Sequence, residues 1–166
     1  PRAATMPRPS RAMLKFWNYD IVFAEVPDHT TLAVNLTGCP LRCPGCHSPH
    51  LREDVGDPLD DDALAALLAR YGSRVTCVAL MGGDAAPAEV EHAAREIRRL
   101  CPALAVAWYS GRDVLPDLID RRAFDYIKLG GWVESLGGLA SETTNQRMYR
   151  ILADGTAEDI TPRFRR

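Results

Sequence analysis

Four short apolar runs, at 31–36, 75–81, 103–109 and 124–129, are separated by stretches whose apolar residues recur at helical spacing. That alternation constrains the fold more than any other feature of the chain. Strands parted by helices need crossover connections, crossovers are right-handed, and the product is a parallel sheet. The first helix is expected over 60–71 (DDDALAALLARY), with three aspartates at its positive N-terminal end, Leu64, Leu67 and Leu68 on one face and Gly72 as its stop. A second is expected over Pro87–Leu100, opened by proline and closed by Arg95, Arg98 and Arg99, and a shorter third over 113–121. Run 75–81 is continuously apolar apart from Thr76, which suits a strand covered on both faces. Residues 17–26 read as an edge strand or hairpin arm, and 148–152 (MYRIL) as a last strand. So few repeats cannot close an eight-stranded barrel of about 250 residues. The expected fold class is therefore α/β, an open, partial parallel β/α barrel, in a single domain over 16–166.

Composition excludes several function classes. The net charge is −2, and the 20 basic residues include only two lysines, Lys15 and Lys128, so no uniformly basic surface points to nucleic acid. No apolar run approaches the roughly 18 residues of a membrane helix. Residues 1–15 carry four positive charges and no acid, and lack the apolar stretch of a secretory signal. They read as a flexible leader, with Met13 a candidate start.

Five cysteines are too odd a number for a closed disulfide framework, and Cys39, Cys43 and Cys46 fall within eight residues. This grouping reads as a metal site in a reducing, cytoplasmic compartment. It lies in a long loop, 38–58, rich in proline and glycine, of a length uncommon in compact domains unless functional. Two chemistries fit. Three thiolates on a kinked loop suit an iron–sulfur cubane with one iron left open; the same three with His47 or His50 suit a closed zinc site in a binding module. Cys77, inside a strand, and Cys101, at a helix end, stand apart.

Ligands of parallel α/β sheets bind at the carboxyl ends of the strands. There the sequence places Gly82, Gly83 and Asp84, two glycines that admit a ligand to the backbone and a carboxylate able to hold an ammonium. Ser110 and Gly111 follow the third run, and Lys128 ends the fourth, where a snorkelling edge residue is the structural alternative. His29 and His92 read as solvent-exposed on a loop and a helix face.

The segment CPLRCPGC (39–46) resembles the CxxxCxxC signature of radical S-adenosylmethionine enzymes, and its place after the first core strand is also theirs. The resemblance implies a partial barrel of that family's type. It implies a [4Fe-4S] cluster whose open iron is chelated by the amino and carboxylate groups of S-adenosyl-L-methionine; electron transfer then yields methionine and a 5'-deoxyadenosyl radical. The short length and the CPGC form are similar to the activating proteins of anaerobic ribonucleotide reductases, over roughly residues 20–151. Gly82–Gly83–Asp84 resembles the family motif that binds the cofactor's amino group. Trp108 to Arg112 (WYSGR) resembles its W-x-[TS]-G-[YF] stretch on the adenosine side, which brings in Ser110 and Gly111, with Arg112 in place of the usual aromatic. Lys128 joins this cofactor-binding set, and Leu129-Gly130 stands where many activases carry an Asp-Gly pair. The tail from 137 to 151 resembles LGGL…TNQR…YR in a branch of these proteins, with anchoring of the last strand the expected role of Asn145, Gln146 and Arg147. The implied activity is hydrogen abstraction from a backbone glycine of a large partner, the anaerobic ribonucleoside-triphosphate reductase, with an electron donor such as reduced flavodoxin. Another glycyl-radical enzyme, a peptide or a small molecule are the alternative substrates.

Overall fold

The computed structural model describes residues 12–165. The expected leader over 1–15 lies mostly outside them; of its last members, Leu14 is buried in the core and Lys15 opens the first strand. Ten elements follow in chain order: β1 (Lys15–Val22), β2 (Thr31–Leu36), β3 (Asp57–Pro58), α1 (Asp61–Tyr71), β4 (Cys77–Met81), α2 (Pro87–Leu100), β5 (Ala105–Tyr109), β6 (Tyr126–Leu129), β7 (Arg147–Ile151) and β8 (Ala157–Asp159). They form one eight-stranded sheet in the order β3-β1-β2-β4-β5-β6-β7-β8.

The sheet is mixed. Its centre, β2-β4-β5-β6, is parallel as the strand–helix alternation requires, whereas β1, β3, β7 and β8 flank it antiparallel. The flanks are joined through hairpin-type or loop connections that need no crossover.

Each helix forms where its sequence dictates. The Asp60 carboxylate caps α1 by accepting from the Ala63 amide at 2.8 Å, and Leu64, Leu67 and Leu68 turn inward. In α2 the buried positions are Val90, Ala93, Ala94 and Ile97, at i, i+3, i+4 and i+7. Both helices cover the face of the sheet that presents Val34, Val78, Leu80, Val106 and Trp108. The other face carries small residues, Cys77, Ala79 and Ala107, packed with Val26 from the β1–β2 connection.

Two expectations are corrected. Residues 113–121 form no α-helix: the chain runs through bends and turns into a 3₁₀ turn at Arg121–Ala123. Pro116 removes an amide donor in mid-segment, and Asp120 spends its carboxylate on the Arg122 amide, starting a new turn instead of continuing a helix. Gly72 ends α1 as its C-cap, as expected, with helical dihedrals that lead into a 3₁₀ turn at Gly72–Arg74. The two histidines are also engaged: His29 contacts the Thr76 hydroxyl at 3.0 Å and the Tyr126 hydroxyl at 3.2 Å, and His92 pairs with Asp61 at 2.8 Å.

Candidate iron–sulfur and cofactor site

Parallel pairing sets Asn35, Met81, Tyr109 and Lys128 side by side across the sheet. The four loops that leave these strands therefore start from one line, and hydrogen bonds join them. Asp84, 2% exposed, accepts from the Ser110 hydroxyl at 2.5 Å and from the Gly111 amide at 2.9 Å. Arg112 donates to the Asp84 carbonyl at 2.8 Å, while its own carbonyl accepts from the Gly130 amide at 2.7 Å. The Trp108 indole donates to the Gly82 carbonyl at 2.7 Å. Gly82 and Gly83 both hold φ near +90° (103° and 83°), a conformation that only glycine adopts without strain.

The cysteine loop is clamped onto this platform. The Gly38 and Cys39 amides donate to the Glu53 and Leu51 carbonyls, and the Arg52 guanidinium donates to the Cys43 carbonyl at 2.8 Å. Its approach to the other loops is close. A Cβ built on Gly111 would lie 2.3 Å from Leu41 Cδ1, and one on Gly131 would lie 3.3 Å from Cys43 Sγ. Glycine at 111 and 131 is thus what lets the cysteine loop settle against the ends of β5 and β6.

All five thiols are free. Cys39, Cys43 and Cys46 are each partly exposed on the loop. Burial pushes the Cys39 thiol up, with smaller contributions from Asp84 and the other two cysteines, so the four groups share one electrostatic environment. Cys77 is different: sealed in β4, its thiol is pushed up to about 12 by burial and behaves as a small hydrophobe. Cys101 caps the end of α2 and packs near Gly72, at the edge of the helix layer.

Lys128 is a correction to the snorkelling alternative. Strand β6 lies between β5 and β7, not at an edge, and the lysine is 8% exposed. Its ammonium donates to the Gly130 carbonyl at 2.6 Å and lies 5.9 Å from the Tyr109 ring centroid. Burial pulls its pKa down to about 8, opposed by Asp84 and Cys43. A buried ammonium so close to a carboxylate and a thiol is a built-in counter-charge for an anionic group.

Among the described residues five buried side-chain polar atoms have no hydrogen-bond partner, and four of them belong to residues of this site: Arg52 Nε, Arg112 Nε, Trp132 Nε1 and Asn145 Oδ1. Buried polar groups are normally satisfied, so this clustering marks a place shaped for further polar atoms. Asn145 already donates to the Gly131 carbonyl at 3.0 Å, which gives the tail segment a site-facing part as well as an anchoring one. The sequence assigned no site role to Arg52 or Trp132, and only the TNQR match drew attention to Asn145.

No three His, Cys, Asp or Glu side chains among the described residues group tightly enough to hold a single metal ion. The three free thiols, the neighbouring donors and the glycine-cleared approach fit a cubane.

A family model described as a 4Fe-4S single cluster domain matches residues 30–124, more than half of the chain. The chain belongs to this 4Fe-4S single cluster domain family and is an iron–sulfur protein. The matched span carries the cysteine loop, Gly82–Asp84 and Ser110–Arg112, and ends before Lys128 and Trp132. No curated protein and no solved structure matches the chain. No helix among the described residues is long and apolar enough to cross a membrane.

Proposed function

We propose that the chain is a radical S-adenosylmethionine enzyme that generates a glycyl radical on a large reductase, the anaerobic ribonucleoside-triphosphate reductase. The observation that carries this reading is a trio of free thiols, Cys39, Cys43 and Cys46, on a loop joined to the Asp84 and Lys128 strand ends, with Cys77 and Cys101 held elsewhere. Three thiolates would hold the cluster and leave one iron for the cofactor; the group supplies one-electron reduction of the bound sulfonium. The eight-stranded sheet with helices on one face is the frame on which the partial-barrel reading rests.

The protein's residues divide the remaining work. Asp84 keeps free lone pairs after its two hydrogen bonds, enough to accept from the cofactor's ammonium. Lys128 offers positive charge to its carboxylate, and Ser110 with Gly111 forms the wall on the adenosine side. Gly82 and Gly83 give the turn its positive-φ backbone, with Gly83 packed against Val90 and Leu36 of the core. The concavity of about 710 Å³ beside the cysteine loop, lined by Pro44, Trp132, Val133, Glu134 and Ser135, is open enough for the loop of a protein substrate. A reduced flavodoxin is the kind of donor this chemistry needs.

The test is electron paramagnetic resonance. The reconstituted, reduced protein with S-adenosylmethionine and the reductase should produce a doublet on the partner, which disappears when the acceptor glycine is changed to alanine. Fast turnover of a small molecule with no radical on any co-encoded glycyl-radical enzyme would overturn the activase reading.

A further inference from the structure

Trp132 follows Gly130 and Gly131 at the end of β6 and folds back over the cysteine loop. Its ring packs against His47 at a tilt of 49°, centroids 4.2 Å apart, and a Cβ built on Gly45, between Cys43 and Cys46, would lie 3.7 Å from its Nε1. That indole N–H is buried and has no acceptor. The tryptophan of the core shows what such a group normally does, since Trp108 donates to the Gly82 carbonyl at 2.7 Å. Gly45 itself is held at φ 67°, which turns the loop beneath the indole without placing a side chain in between.

An indole N–H sealed over the Cys43–Cys46 span needs an acceptor, and the atoms that loop is built to gather are sulfurs. We propose that the Trp132 indole N–H donates to a sulfur of the cluster or its thiolates, and so holds the cluster's edge and sets its reduction potential. A donor beside sulfur stabilises the more negative, reduced state, because the added electron increases the charge on the acceptor. His47 holds the ring in place by tilted ring contact. Glu134 is the competing acceptor: its Oε2 lies 3.2 Å from the same Gly45 position.

The inference rests on the assignment of the cluster to Cys39, Cys43 and Cys46, and the experiment separates the two. Protein grown with ¹⁵N-indole tryptophan is reconstituted with iron and sulfide, reduced, and examined by electron–nuclear double resonance, alongside Trp132→Phe. The expected result is a ¹⁵N coupling in the wild type that vanishes in Trp132→Phe. The variant should keep its iron and sulfide but show a more negative potential, by roughly a tenfold change in the oxidised-to-reduced ratio, or ~59 mV for one electron. If Trp132→Phe fails to take up iron, the wild-type spectrum alone decides. A wild type with no ¹⁵N coupling, as when Glu134 takes the proton, or a variant with unchanged potential, overturns the indole contact alone. Iron absent from the wild type, or fully retained by Cys43→Ser, overturns the cluster assignment and this contact with it.

Discussion

Replacing Lys128 with Met tests the most unusual group in the site through its effect on stability. In the unfolded chain a lysine titrates near its ordinary value of 10.5, whereas burial lowers it to about 8 in the fold. Between those values the unfolded chain binds more protons than the native one, so stability rises with pH across this window. Below pH 8 both states are protonated and the slope vanishes; the cost of holding a buried ammonium is then fully present. From pH 7 to pH 10 the two pKa values give a gain of roughly 2–3 kcal/mol from this one residue. Urea unfolding of metal-free, reduced protein at both pH values gives the assay. Tyrosines and cysteines also titrate in this range, so the quantity to read is the wild-type stability minus that of Lys128→Met, which removes their shared contribution. That difference should shift by roughly 2–3 kcal/mol in favour of the wild type as the pH rises. A shift below about 0.5 kcal/mol would mean that the native lysine titrates near its ordinary value, and the argument for a buried counter-charge would fail.

Three other outcomes are expected. Replacing Cys39, Cys43 or Cys46 with Ser should sharply lower iron and acid-labile sulfide after reconstitution, whereas Cys77→Ser and Cys101→Ser should keep both; iron loss in either of the latter pair would refute the three-thiol assignment. Gly83→Ala should destabilise the metal-free protein by about 2–4 kcal/mol, since the new methyl needs a left-handed backbone and overpacks its surroundings. It would lie 2.4 Å from Val90 Cγ2. Gly38→Ala, with a similar φ of 72° and open space around it, should cost only about 1 kcal/mol in the same urea titration. Asp84→Asn turns one buried acceptor into a donor facing Ser110 or Gly111, and should cost about 1.5–3 kcal/mol of stability; a change under about 0.5 kcal/mol would show that the carboxylate does not hold the two loops together.

What was legible in the sequence followed from local pattern. The opening Pro87 and the arginines near the end mark α2 to the residue, and the aspartates at 60–62 mark the start of α1 to within one. The parallel centre of the sheet followed from the alternation, but the antiparallel β8, with its polar sequence Ala157–Asp159, has no apolar alternation to announce it. The 113–121 segment has apolar residues at helical spacing, yet Val114 and Leu118 end up exposed because Pro116 and Asp120 favour separate turns. At the site the cysteine spacing was readable because all three thiols share one loop. The burial of Lys128 was not, because it depends on strands β5 and β7 lying on either side, which no local window contains. Trp132 and Arg52 gave no signal at all: an unpartnered donor is defined by what surrounds it in space.

The site is a property of the sheet's register more than of any one motif. Asn35, Met81, Tyr109 and Lys128 stand in one row, so each strand ends level with its neighbour and its loop begins within reach of the next. Because side chains alternate between faces with period two, a slip of one residue in β6 would carry Lys128 to the opposite face. It would also break the Ser110 amide's bond to the Lys128 carbonyl at 2.9 Å. The same slip would move Gly131 away from Cys43 and uncouple the cysteine loop from the lysine. Hydrogen bonds from Arg112 to Asp84 and from Gly130 to Arg112 lock this register across the loops after β4, β5 and β6. Arg112 therefore acts as the tie between the Asp84 turn and the glycine pair that leads to Trp132.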